Sequence, residues 1–436
     1  MPVHNASMKR LVKWIVIVFV LLLVLLAGGV LALKRWIGTD DFRQRLEQQA
    51  GAALGVPLSL GGIDVALWPL PAVVVERIAV QTQPALTVAR VEVRPAWADL
   101  LQGKVAPATL VVRRAVLPQP GIDALLAAMD KAKRKDQDAA ATPWQLLPQR
   151  TVLDGLTWID AKGAALTVQA EARLSPDVWP QQLSAQIVQG RLQGAKLDLQ
   201  REAQAHAWGV KLQVAGGSIN GRLALQLPKE AGAEFTLKGQ LKTQDVEVAR
   251  LTAPAPTPTP TVQAAQPLSG LLEASTTLSA HTRKPGALAE VLQTQSTFTV
   301  RNAVVHGIDL AKAVKTVGMS RGGQTPLDTL AGQVHTQGKA VALTNLVASS
   351  GLLSATGQVN VSPSQALSGR ISVELGGAVG VPLALGGTVS DPQVTLTTGA
   401  KIGAALGTVF LPGVGTGTGA SLGDKASEGL KKIFGK

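Results

Sequence analysis

Cysteine and tyrosine are both absent from this sequence, and aromatic residues make up only 3% of its 436 positions. Without cysteine there is no disulfide framework, no thiolate nucleophile and no cysteine-based metal site. So few aromatic rings argue against stacking platforms for bases or sugars. Acidic residues are also missing from positions 1–35, where Lys9, Arg10, Lys13, Lys34 and Arg35 supply five of the thirteen net positive charges. The other eight are spread along the rest of the chain, which is a moderate excess. The only dense basic cluster, Lys131 to Lys135, is flanked by Asp130, Asp136 and Asp138. It reads as a solvated helix end or loop and not as a nucleic-acid footprint. A basic surface near anionic lipid headgroups is a better use of the charge.

What is present first is an unbroken apolar run. Trp14 to Leu33 is 20 residues long with no charged side chain. As a helix it would span roughly 30 Å, the thickness of a bilayer's hydrocarbon core. Trp14 and Trp36 sit where interfacial aromatics belong, and Phe19, Leu23 and Leu33 lie within the span. The run exceeds a typical signal-peptide core and no A-x-A cleavage site follows, so an uncleaved signal anchor is expected. Basic flanking charge, three residues before against two after, places the N-terminus in the cytoplasm.

Past the anchor, Thr39 or Asp40 caps a short amphipathic helix, Asp41 to Leu54, with Phe42, Leu46, Ala50 and Leu54 at helical spacing and Gly55 as its stop. From Val56 the period becomes two. In Ala85–Arg94 the apolar positions are Leu86, Val88, Val91 and Val93, with a phase slip near Ala89. Trp97–Leu101 reads as a helical turn. A helix is expected over Gly121–Lys135, with Ile122, Leu125, Leu126 and Met129 on one face. Residues 150–250 are strand after strand of 6–11 residues, an antiparallel meander with one apolar and one wet face. Ala253–Pro260 is Pro-rich and extended, a loop or hinge. Similar strands resume at Leu271, interrupted by a short helix near Ala287–Leu292 and by one that Asp309 caps and Gly318 ends. The tail is Gly-rich and closes on an amphipathic stretch with Leu430, Ile433 and Phe434 on one side and Lys431 and Lys432 on the other.

Catalytic and ligand signatures are weak. Gly318-Met-Ser320-Arg-Gly322 fits G-x-S-x-G, but a helix precedes it and a Gly/Pro turn follows, the wrong context for a nucleophile elbow. Gly415 to Ala420 fits a loose dinucleotide fingerprint, yet only 16 residues follow, too few for a βαβ unit. The five histidines (His4, His206, His281, His306, His335) are scattered, with His306 and His335 the one pair that adjacent strands could bring together. Asp64 and Asp309 sit in G-I-D contexts that suit turns or caps. No catalytic residue, metal site or cofactor is therefore assigned.

Several segments nevertheless resemble AsmA-family proteins: Asp41 to Glu47, Leu54 to Leu60 and Gly62 to Pro71 near the start, then Phe298 to Leu310, Gly322 to Gly332, Val381 to Pro392 and the Gly-rich basic tail. The resemblance implies a non-enzymatic protein of the Gram-negative envelope. Such a protein has a single inner-membrane span and its body in the periplasm, and is related to bridge-like lipid-transfer proteins with a long curled antiparallel sheet and an open apolar groove. Its partners would be membrane phospholipids and other envelope proteins, in outer-membrane biogenesis. The chain then divides into a cytoplasmic stub (1–13), the anchor (14–36), an N-terminal β region (37–250), the Pro-rich stretch (251–267), a C-terminal β region (268–398) and the tail (399–436).

The fold class read from the residues is mainly β with one N-terminal transmembrane helix and a few short helices. Two readings of the apolar face remain. The sheet can fold on itself as a closed sandwich, suited to a structural or assembly factor that modulates outer-membrane protein insertion through protein contacts. Alternatively the face holds acyl chains, each buried methylene contributing about 0.8 kcal/mol without any polar site. Residues lining such a groove are not identified by the pattern. Lipid access would be sought between the Asp41–Leu54 helix and the first strands.

Overall fold

The computed structural model describes residues 39–66, 72–95, 107–135, 148–175, 177, 179–203, 206–227, 234–253, 266–283, 288, 291–316, 322–377 and 380–400. Several expectations fall outside them: the Trp14–Leu33 span, the Trp97–Leu101 turn, most of the Pro-rich stretch and of the Ala287–Leu292 helix, Ser320, and residues 401–436. The described residues are mainly β, with four short helices as named elements, and form two compact units divided between Pro180 and Gln181.

The first unit opens with helix α1, Asp40–Leu54. The Thr39 hydroxyl accepts from the Phe42 amide (3.4 Å), satisfying one of the free N–H groups of the first turn, and Asp40 and Asp41 complement its positive end. Gly55 ends it in the left-handed region at φ 71°. A side chain there would also strike the Ala128 carbonyl, 2.6 Å from an added Cβ, so glycine serves both the cap and the packing against the second helix. Strands β1 (Leu58–Ser59) and β2 (Gly62–Ala66) are two pieces of one edge, both paired with β3 (Ala72–Val80) and broken at Gly61. The Leu60 amide beside this break donates to Glu47 Oε1 of α1 at 2.6 Å, tying helix to sheet. Strands β4 (Leu86–Pro95) and β5 (Pro107–Pro118) continue antiparallel.

The meander is then interrupted. Helix α2, Gln119–Lys135, carries the chain back, and β6 (Arg150–Ile159) pairs with β5 in parallel. This corrects the expectation of a wholly antiparallel sheet. Two parallel neighbours need a crossover, and α2 is that connection. Ile122, Leu125 and Met129 of α2 are half-buried as expected, but Leu126 is 55% exposed, off the stripe that faces the protein. Strand β7 (Ala165–Leu174) restores antiparallel pairing.

The second unit is an uninterrupted antiparallel meander of thirteen strands, each paired with its sequence neighbour. In order they are β8 (Pro180–Gln189), β9 (Lys196–Arg201), β10 (Ala207–Val214), β11 (Gly217–Gln226), β12 (Phe235–Glu247), β13 (Leu268–Thr282), β14 (Gln293–His306), β15 (Gln324–Gln337), β16 (Ala340–Ser350), β17 (Leu353–Val361), β18 (Leu367–Leu375), β19 (Val381–Gly387) and β20 (Pro392–Leu396). Strands β12 and β13 pair directly, so the Pro-rich stretch between them connects neighbours within one sheet. Helix α3 (Val248–Thr252) belongs to the same connection. Helix α4 (Leu310–Lys315) is capped by Asp309, which accepts from the Lys312 amide at 2.8 Å, as the sequence predicts. Among the described residues β20 pairs with β19 alone, so this sheet stays open.

The well-packed core lies at the C-terminal end of the second unit. Val300, Val373 and Leu383 are almost wholly enclosed, and Leu310 and Ala313 of α4 and Ala400 join them. Removing the Leu383 side chain beyond Cβ, Leu383→Ala, is expected to cost about 2–5 kcal/mol, read from denaturant unfolding of the full chain.

Candidate functional site: one apolar face

In a regular strand alternate residues share a face, but in the first unit this parity changes at one line across the sheet. Arg77 (φ 48°), Arg114 (φ 49°) and Gly155 (φ 74°) sit in the left-handed region, and Ala89 is unpaired opposite Arg77. Above the line the aligned residues are Val75, Val91, Val112, Leu153 and Ala170. Below it they are Ile78, Val88, Ala115, Leu156 and Val168. Strand β7 has no such interruption, and its Val168 and Ala170 lie on one face. The irregularities therefore keep both sets on a single apolar face, and the phase slip near Ala89 is their trace in the sequence.

The opposite face of this unit carries a charge cluster, set between the buried Val74 and Val111. Glu92, 5% exposed, receives Arg90 Nε at 2.9 Å and an Arg94 terminal nitrogen at 3.2 Å, with Arg113 at 3.5 Å. Burial alone would raise its pKa, but the Arg94 hydrogen bond and the Arg113 and Arg90 charges outweigh it and hold the carboxyl below its ordinary value. In the same cross-strand row three strands away, Glu171 is likewise held down, chiefly by its hydrogen bond from Arg150, whose own pKa is raised in return.

In the second unit a single cross-strand row runs through all thirteen strands. It is Leu183, Leu199, Val210, Gly221, Leu241, Thr276, Ser296, Val334, Leu343, Val359, Gly369, Leu385 and Val394. Its two hydroxyls satisfy each other, Thr276 to Ser296 at 2.8 Å. Cover over this row is uneven. From β17 onward Val359 and Val394 are buried, Val394 in the core that α4 closes. From β8 to β12 the row members Leu183, Leu199, Val210 and Leu241 are only half-buried, as are Leu197, Leu212, Leu223 and Leu237 beside them. A smaller cluster of Ala195, Val214 and Val246 fills one end of these strands, beneath Leu251 of α3. At the other end Trp208, on the same face, is buried, and between these two ends the apolar side chains of β8–β12 stay half-buried.

The residues singled out in the sequence resolve differently. Trp14, Phe19, Leu23, Leu33 and Trp36 lie outside the described residues, among which no helix is long and apolar enough to cross a membrane. His306 and His335 are on neighbouring strands but at opposite ends, since His306 pairs with Gln324 and His335 with Gln295. His306 instead contacts the Ser269 hydroxyl (3.2 Å), and no cluster of metal-ligating side chains occurs among the described residues. Asp64 lies within β2, not in a turn, and accepts from the Val65 amide at 2.8 Å. Lys131 begins the last turn of α2, a helix end as expected.

Compared with known proteins, the chain matches no protein-family model, no curated protein and no solved structure.

Because Leu199 and Leu223 are not enclosed, Leu199→Ala and Leu223→Ala are each expected to cost about 1 kcal/mol or less, well below Leu383→Ala in the same unfolding assay. The Glu92 shift predicts an acid limb. A carboxylate with a depressed native pKa stabilises the fold above its unfolded value, near 4.5, and that contribution disappears as pH falls through the native value. Glu92→Gln should flatten the loss of stability below pH 4.5 and cost about 1–3 kcal/mol at pH 7, both measured by urea titration across pH.

Proposed function

We propose that this chain is an AsmA-like, non-enzymatic envelope protein that holds phospholipid acyl chains along the apolar face of its sheet. In this reading the sheet is an open groove. The Trp14–Leu33 segment anchors it in the inner membrane, the bulk of the chain stands in the periplasm, and lipid moves toward or from the outer membrane. The observation that carries the proposal is the Leu183-to-Val394 row. It is apolar apart from one self-satisfied hydroxyl pair, and it is half-exposed over β8–β12.

Water is a poor partner for such a face, and a lipid tail is a good one. An acyl chain laid along the row needs no directional contact, and each buried methylene contributes about 0.8 kcal/mol. Neighbouring strands satisfy each other's amides and carbonyls, so the backbone beside the tail presents no unpaired polar group to it. The sequence resemblance to AsmA-family segments supports the same assignment independently of this geometry.

A photocrosslinker distinguishes the two faces at one depth. With p-benzoylphenylalanine at Val210, irradiation of cells is expected to yield a phospholipid adduct detectable by mass spectrometry, and at the adjacent Lys211 it is not. Equal labelling at both positions, or none at either while protein adducts form, would favour an assembly factor acting through protein contacts.

A further inference from the structure

The apolar face of the second unit changes character at β13. Thr276 and Ser296 continue the row after Leu241 of β12, and their hydroxyls meet at 2.8 Å. A second pair stands beside them. Thr294 lies two residues before Ser296 on β14, hence on the same face, and its hydroxyl meets that of Thr336 on β15 at 2.6 Å. The four form one patch on three adjacent strands, and all are half-buried. On the other side of Thr276 and Ser296 the face is closed. Ala274, Phe298 and Gly332 pair across the strands there, and Phe298 and Gly332 are buried. The open part of β13–β15 therefore carries hydroxyls where the equally open part of β8–β12 carries Leu183, Leu199, Val210 and Leu241.

A cavity of about 1170 Å³ adjoins the patch. Gln226, Gln293, Gln337 and Ala340, which line it, are each the first or last residue of a strand. The cavity thus sits at strand ends, where side chains of both faces reach it. Leu278, Thr294, Thr336 and Val341 line it from the apolar face, and Gln295 and His335 from the other. No carboxylate is among its described lining. The apolar strip accordingly leads into a place of mixed chemistry, with hydroxyls and amides but no negative charge.

We infer that the second unit holds a glycerophospholipid in one direction, its tails across β8–β12 and its glycerol, esters and phosphate at the hydroxyl patch. The dimensions fit such an occupant. Leu183 to Leu241 covers four strand spacings, about 19 Å. A lipid tail fills half of a hydrocarbon core roughly 30 Å thick. The strip therefore takes one tail length, and polar groups begin on the next strand. Each hydroxyl has one proton and two lone pairs, so a pair that uses one proton internally keeps the other to donate. Ester and phosphate oxygens are acceptors for those protons, whereas a bare hydrocarbon gains nothing from them. The inference rests on the lipid reading and narrows it from an acyl-binding face to a site with a polar end.

Photocrosslinking reads the direction. The full chain is placed in nanodiscs of palmitoyl-oleoyl phosphatidylethanolamine and phosphatidylglycerol, with p-benzoylphenylalanine at Val210 or at Leu278, whose cross-strand partner is Thr294. Fragmentation of each adduct in the mass spectrometer shows which part of the lipid was captured. Val210 is expected to capture acyl methylenes, and Leu278 mostly glycerol or headgroup carbons. A variant carrying Thr276→Val, Ser296→Ala, Thr294→Val and Thr336→Val replaces both members of each pair, so no hydroxyl loses its partner. With melting unchanged, its ratio of glycerol to acyl adducts at Leu278 should fall at least fivefold. The comparison of Val210 with Leu278 stands without the variant. Acyl adducts in the same proportion at both positions, or a ratio at Leu278 that the variant leaves unchanged, would overturn the direction and leave the lipid reading in place. Absence of phospholipid adducts at both positions would overturn the two together.

Discussion

Backbone pairing between sequence neighbours is the constraint on which the rest of this protein depends. In the second unit every strand after the first pairs with the one before it, so the sheet grows in sequence order and no distant segment is needed to complete it. Such a ladder satisfies its own amides and carbonyls along its length. It cannot by itself cover an apolar face. Cover has to come from helices, from the sheet bending on itself, or from something that is not protein.

The helices are few and short, and they are placed at ends. Helix α4 and Ala400 close the C-terminal core, and α3 closes one end of β8–β12. In the first unit Glu47 of α1 meets the amide beside the Gly61 break, and Gly55 brings α1 against α2. This economy leaves the middle of the apolar face half-exposed where the strands are most regular. The same regularity leaves the other side polar and exposed, because a period of two assigns each face its own chemistry.

The charge cluster of the first unit shows how a carboxylate is kept ionised away from water. Glu92 is enclosed, yet three arginines on its own and the neighbouring strand offset the desolvation. All of them project from the face opposite Val91 and Val112, so the charges do not enter the apolar side. The irregular line through Arg77, Ala89 and Arg114 matters here. Without it, the residues beyond the line would exchange faces and set Val88 and Ala115 among the charges.

The strands, the caps of α1 and α4 and even the slip at Ala89 were legible from the sequence, because each depends on local periodicity or on one side chain bonding a nearby amide. Thr39, Gly55 and Asp309 do in the structure what their residue types predict. Other features required the tertiary structure. The parallel β5–β6 pair depends on where α2 delivers the chain. The separation of His306 from His335 depends on register, and the exposure of Leu126 on which stripe of α2 finds a partner. Above all, alternation is identical for a strand facing a filled core and for one facing an unfilled strip. Sequence by itself determined that Leu199 and Leu383 both lie on apolar faces. Only the packing around them decided that Leu383 is enclosed and Leu199 is not, because enclosure is set by neighbours distant in the chain.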